Sequence, residues 1–270
     1  MKPVARLSAL VRPRIRAARH KALTRVFSGV LPYYVVNEFP KSGGTWLAEM
    51  LSEALDVPFR RNQPLRLERS IVHGHFLSPY GLRNVVVVWR DPRDVIVSLY
   101  HHCYFINEHQ NFGVVAKMKD RLPFADYEDV RANLPAFIRF IHTTPLVPRF
   151  TLEQFAAGWL DRSGVVHTSY ALLRGDTVGE LGRIVSGLTG KRPAENRLAE
   201  IAARHEFSKV KAAAEKDRRS GTERSFVRAG SVGGWVGYFS DEALEALPAS
   251  YAVLAEKIAA LPDSGRGQDR

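Results

Sequence analysis

The run Val85-Val86-Val87-Val88-Trp89 constrains the fold more than any other stretch of the chain. Five consecutive β-branched or aromatic residues leave no polar side, so the strand they form must be buried on both faces, as in a parallel sheet covered by helices. The residues that follow fit a helix start. Arg90 and Asp91 end the run, Asp91 is placed to cap a helix, Pro92 suits its first position, and Asp94 favours the positive end of its dipole. A similar succession occurs earlier. Tyr33-Tyr34-Val35-Val36 reads as a short buried strand and runs into a Pro/Gly loop. From Thr45 to Leu55, Trp46, Leu47, Met50, Leu51, Ala54 and Leu55 then recur at helical spacing.

Gly164 to Thr168 reads as a third strand and Val178 to Leu188 as its helix. Further helices are expected from Arg197 to about Lys216 and from Asp241 to Ala259, separated by a Gly/Ser/Arg-rich loop over 218–234. Residues 101–160 carry poor strand patterning and read as a helical, loop-rich insertion. The expectation is an α/β fold of one domain, a parallel β-sheet flanked by helices, over residues 31–260. A basic arm over residues 1–30 precedes it and a disordered tail over 261–270 follows.

In the arm, eight basic residues from Lys2 to Arg25 precede the first acidic residue, Glu38. Apolar residues recur there at helix-like spacing, but Pro13 would break or kink a long helix. A flexible basic arm is the plain reading. An amphipathic segment lying on an anionic membrane and an organelle transit peptide are the sharper ones. No stretch has the uninterrupted apolar run of a secretory signal or the roughly 20 apolar residues that span a bilayer. With one cysteine, Cys103, there is no internal disulfide framework, and a reducing, cytoplasmic compartment is expected. The net charge of +11 calls for an acidic ligand without choosing among nucleic acid, membrane and polyanionic nucleotide.

The loop Pro40-Lys41-Ser42-Gly43-Gly44-Thr45-Trp46 narrows that choice. A strand opening into a glycine loop and then a helix gathers free backbone N–H groups at a positive helix end, which is an anion site. Gly43 and Gly44 allow close approach, Lys41 adds a charge, Ser42 and Thr45 add hydroxyls, and Trp46 offers a ring face for a base. The lysine precedes the glycines, which is not the order of the ATP-binding Walker loop. Arg90, at a strand's carboxyl end, and Ser98, two turns into the next helix, form a second phosphate-sized fork.

These residues carry a resemblance. Pro40 to Leu47 resembles the 5′-phosphosulfate loop of sulfotransferases that use 3′-phosphoadenylyl sulfate (PAPS). Arg90 to Ser98 is similar to the same family's 3′-phosphate motif. Phe226 to Gly230, with Gly234-Trp235, resembles the late loop that closes over the nucleotide. The resemblance implies a P-loop-type sheet and a transferase that moves a sulfuryl group from PAPS to an acceptor hydroxyl or amine, releasing adenosine 3′,5′-bisphosphate. It implies that Lys41, Ser42, Gly43, Gly44 and Thr45 hold the 5′-phosphosulfate. Arg90, Ser98, Arg228 and Gly230 would hold the 3′-phosphate. Trp46 and Phe207 would sandwich the adenine, and Tyr170 and Phe226 would complete the nucleotide site. The family often has a second Thr where this chain has Gly44, a common Lys where it has Ala229, and an Asp where it has Gly234. A P-loop kinase and a non-catalytic, nucleotide- or nucleic-acid-binding relative are the alternatives.

The acceptor's proton needs a base, and the Ile71-Val72-His73-Gly74-His75-Phe76 segment supplies two histidines. The family's catalytic histidine lies a similar distance before the 3′-phosphate strand, and His75 fits that place better than His73. Lys41 is expected to steady the developing charge. A His-Gly-His pair gives a metal two ligands and no third, so no metal is expected. Small-molecule, carbohydrate and lipid-linked acceptors all stay open. The candidate pocket walls are Tyr100, Tyr104, Phe105, Phe112, Phe137 and Phe140.

Overall fold

The computed structural model describes residues 18–61, 66–107, 111–145, 149–206 and 230–262. Four strands, β1 (Tyr33–Glu38), β2 (Ser70–Gly74), β3 (Val85–Trp89) and β4 (Val166–Ser169), form one sheet in the order β2-β1-β3-β4. Every pairing is parallel. All six residues of β1 and all five of β3 are buried, as the lack of a polar side demands for β3, and β1 carries Asn37 and Glu38 into the interior at its end.

Two cores follow from strand alternation. Tyr33, Val35, Val85, Val87 and Trp89 point to one face of the sheet, and Tyr34, Val36, Val86 and Val88 to the other. The first face is covered by α3 (Pro92–Tyr104), α4 (Phe112–Arg121), α5 (Val130–Thr143), α6 (Leu152–Trp159) and the late helices α10 (Asp241–Glu245) and α11 (Ala249–Ala259). The second is covered by α2 (Gly44–Leu55), α7 (Tyr170–Gly175), α8 (Thr177–Thr189) and α9 (Glu195–Arg204). Helix α1, described over 18–27, lies on the loop between β2 and β3. Arg25 donates to the carbonyl of Ser78 at 3.2 Å, and the amide of Arg83 donates to the hydroxyl of the buried Ser28 at 2.9 Å.

Several expectations shift. The third strand starts two residues later than expected, at Val166. The helix expected from Arg197 ends at Arg204, and its remainder to Lys216 falls almost wholly outside the described residues. The helix expected from Asp241 to Ala259 is two helices, because Pro248 cannot continue the first and caps the second. Residues 1–17 of the arm and 263–270 of the tail also lie outside the described residues. No helix among the described residues is long and apolar enough to cross a membrane.

The strand order decides where a ligand can sit. The chain leaves β1 for β2 on one side and returns to β3 on the other, so a crevice opens beyond the carboxyl ends of β1 and β3.

Candidate active site

That crevice receives both sequence motifs. Residues 39–43 connect β1 to α2, with Lys41 and Gly43 in the left-handed region at φ of 78° and 100°. The N-cap residue of α2, Gly43, has no side chain to bond the first turn, so its first amides are left to other partners. Gly43 is required twice over. Its φ suits only glycine, and an added Cβ would come within 2.7 Å of the Tyr170 ring. Gly43→Ala is therefore expected to lower stability by about 1–3 kcal/mol, measured by denaturant unfolding. An unchanged midpoint would show that the loop relaxes freely.

From β3, Arg90 reaches back across the crevice. Its guanidinium donates to the carbonyl of Lys41 and to the carbonyl of Ser231, both at 3.2 Å, and lies 4.5 Å from the Tyr170 ring centre. Tyr170 is buried and opens α7 at the end of β4, packed edge-on against Trp46 with its hydroxyl donating to the carbonyl of Gly230 at 3.0 Å. Four separate segments thus meet around one guanidinium. Ser42 is buried, Thr45 and Trp46 are half-buried on the first turn of α2, and Ser98 is half-buried on α3. The indole N–H of Trp46 donates to the carbonyl of His205 at 2.9 Å. Phe207, Phe226 and Arg228 lie outside the described residues.

Asp91 caps α3 as expected, accepting from the amide of Arg93 at 2.8 Å and pairing with its guanidinium. Asp94 does more than favour a dipole. Buried, its carboxylate accepts from the amides of Gly233 and Trp235 at 2.9 and 3.0 Å, pinning the late loop beside Arg90. Nothing local in the sequence marks a partner about 140 residues away.

The histidines sit at the end of β2. Gly74 lets the Phe76 ring fold back over it, where a Cβ would come within 2.4 Å. The Phe76 backbone is then clamped by the Asn37 side-chain amide, which donates and accepts at 3.1 and 2.7 Å, and by the Trp159 indole at 2.7 Å. His75, next to this clamp, has Nδ1 at 2.9 Å from the carbonyl of Glu38. A carbonyl only accepts, so Nδ1 carries the proton and Nε2 is left with its lone pair. Burial pushes His75 down to about 4, against the opposing charge of Glu38, so the ring is neutral at physiological pH.

Glu38 is the group that the sequence reading missed. It is buried, its carboxylate accepts from the Gly44 amide at 2.5 Å, and its other oxygen is 2.9 Å from Nε2 of His73. Burial raises this carboxyl, but the His73 hydrogen bond, the two histidine charges and the Gly44 amide together hold it below the usual range. Gly44 makes room for it, since a Cβ there would come within 2.7 Å of the carboxyl carbon.

Lys41, Thr45, Glu38, His73 and His75 are the polar lining shared by the loop, β1 and the β2 end in a cavity of about 240 Å³. Its other walls are mainly apolar: Val95, Ile96 and Leu99 of α3, Val114 of α4, Phe137 and Ile141 of α5, and Phe150 to Leu152 before and into α6. Only Phe137 of the six expected aromatic walls is among them. Tyr100 and Tyr104 are buried against each other and against Phe137, and Phe112 faces solvent. Cys103 also borders the cavity, where burial pushes its thiol up to about 12. Among the described residues no group of three or more His, Cys, Asp or Glu side chains gathers as metal ligands would.

A parallel sheet with a glycine loop at its switch point and an arginine reaching across the crevice defines an α/β fold of the P-loop type. The family model described as Sulfotransferase domain matches residues 77–262, and the chain belongs to the sulfotransferase family. It is 26% identical over 255 residues to human sulfotransferase 2B1, covering 79% of this chain and 63% of that protein, so it spans less than two thirds of this relative. Two solved structures share the fold at 18% identity. Mouse sulfotransferase SULT7A1 complexed with PAP superposes with a TM-score of 0.59, covering 90% of this chain and 91% of that one. Retinol dehydratase in complex with androsterone and inactive cofactor PAP gives 0.55, covering 91% and 87%.

Proposed function

We propose that the protein transfers a sulfuryl group from PAPS to the hydroxyl of an apolar small molecule. One observation carries the reading: the anion loop with Lys41 and the neutral His75 open onto the same apolar cavity. The donor's 5′-phosphosulfate would lie on the loop amides and Lys41, with Ser42, Gly43, Gly44 and Thr45 around it. Its 3′-phosphate would lie by Arg90, Ser98 and Gly230, with Arg228 from the late loop. Trp46, Tyr170, Phe207 and Phe226 would hold the base.

The chemistry assigned to the chain follows from these positions. The acceptor oxygen attacks sulfur as Nε2 of His75 takes its proton, and the bond from sulfur to the donor's phosphate oxygen breaks. Lys41 and the loop amides stabilise charge on that leaving oxygen, an effect enlarged where water is excluded. Adenosine 3′,5′-bisphosphate is the product.

The walls argue for the acceptor class. A sugar brought against Val95, Ile96, Leu99 and Ile141 would lose hydration without hydrogen bonds in return, whereas a hydrocarbon frame gains from burial. Purified protein supplied with labelled PAPS is expected to sulfate polycyclic or long-chain alcohols and to leave free sugars unmodified, read by mass spectrometry. Turnover confined to sugars would overturn the acceptor class. Absence of adenosine 3′,5′-bisphosphate formation with every acceptor would overturn the reaction.

A further inference from the structure

Glu38 is bonded through each of its three oxygens, to one group in the anion loop and to two in the His73–His75 stretch. Its carboxylate meets the amide of Gly44 in the anion loop and the ring of His73 in β2, and its carbonyl meets the ring of His75. The rings of His73 and His75 lie 5.4 Å apart and nearly perpendicular. One residue therefore sets the position of both histidines.

Position alone does not call for a charge. A neutral side chain could accept from the Gly44 amide and meet His73 without the desolvation cost of a buried carboxylate. What only a negative charge does is steady positive charge beside it. In the reaction proposed above, the neighbouring group that becomes positive is His75.

We propose that Glu38 is a positioning residue for proton removal, anchoring the histidine pair and supplying the negative charge against which the imidazolium of His75 forms. This rests on the reading of His75 as the base. The acceptor proton moves from oxygen to Nε2 of His75, Nδ1–H goes on donating to the Glu38 carbonyl, and the Glu38 carboxylate stays ionised. The other charged groups around the pair come from different elements. His73 from β2 and Lys21 from α1 act on His75 in the same direction as burial, and Glu38 acts against them. Lys41 and Arg61 border the same cavity, and Glu49 of α2 lies near His73.

Acceptors of different acidity separate this role from a structural one. An alkyl alcohol needs a base strong enough to take its proton during attack, whereas a nitrophenol already ionised at the assay pH needs none. Glu38→Gln keeps the shape and the acceptor for the Gly44 amide but removes the charge. It is expected to cut kcat about 10- to 100-fold for an alkyl alcohol, a share of the usual general-base effect, and to leave the ionised nitrophenol within about twofold. Binding of adenosine 3′,5′-bisphosphate, read by calorimetry, should stay within about threefold, a fraction of one charge-assisted hydrogen bond. Equal losses for both acceptors, or none, would overturn the inference.

His75→Ala serves as the reference. If it shows the selective loss and Glu38→Gln does not, the inference fails and the base assignment stands. If His75→Ala spares the alkyl alcohol, the base assignment itself fails. Should Glu38→Gln not unfold cooperatively, Glu38→Asp tests the same role, because it keeps the charge but draws it one methylene back from His73. A selective loss for the alkyl alcohol, smaller than that of His75→Ala, is expected there, and an equal loss for both acceptors counts against the proposal.

Discussion

His75→Ala is expected to lower turnover of an alcohol acceptor by about 10²- to 10⁴-fold, the usual range for a positioned general base. Product nucleotide should bind as in the parent protein, because His75 lines the apolar cavity and makes its backbone contact to Glu38, whereas Arg90 and Tyr170 are not among the residues that line that cavity. Two features suit it to the task. The Glu38 carbonyl holds the tautomer with Nε2 free, and burial keeps the ring neutral down to about pH 4. The sign is plain: the active form is the deprotonated one, so rate is lost as pH falls through the lowered pKa. A rate that instead fell near the ordinary histidine value of about 6.5 would point to a solvent-exposed base. Turnover undiminished in His75→Ala would remove the assignment altogether.

His73 illustrates why two adjacent histidines are not interchangeable. Its Nε2 is engaged by the Glu38 carboxylate, whereas among the described residues none bonds the Nε2 of His75, which is held through Nδ1. The alternation of an extended segment places both on one side, as the spacing suggests, but only the neighbours decide which ring is left to act.

That difference marks the limit of what the sequence discloses. The polyvaline run of β3, the glycine loop and the Asp91-Pro92 helix start are local patterns whose physics is complete within a few residues, and each is found where it was expected. Glu38, Asp94 and the cavity walls obey no local rule. Glu38 reads as an ordinary polar end to a strand until β2 brings His73 alongside, in the register that sets Val36 opposite it. Asp94 reads as a helix-start acid until the late loop returns its amides to it. The aromatic residues of the insertion were expected to face the acceptor, yet large flat rings gain most by packing on one another, as Tyr100, Tyr104 and Phe137 do. Of the six expected rings only Phe137 also borders the cavity, beside the aliphatic side of α3.

Arg90→Ala is expected to weaken binding of adenosine 3′,5′-bisphosphate by about 10- to 100-fold, the worth of one or two charge-assisted hydrogen bonds. Adenosine 5′-phosphate, which lacks the 3′-phosphate, should lose far less. The contrast matters because Arg90 also ties the protein together, donating to the carbonyls of Lys41 and Ser231. If that tie were its whole role, both nucleotides would suffer alike through a loosened loop, and equal losses in calorimetry would sink the assignment. Arg90→Lys sharpens the test. A lysine restores the charge but not the planar fork that spans two carbonyls and lies against Tyr170, so it should recover part of the lost affinity and leave the late loop less firmly held.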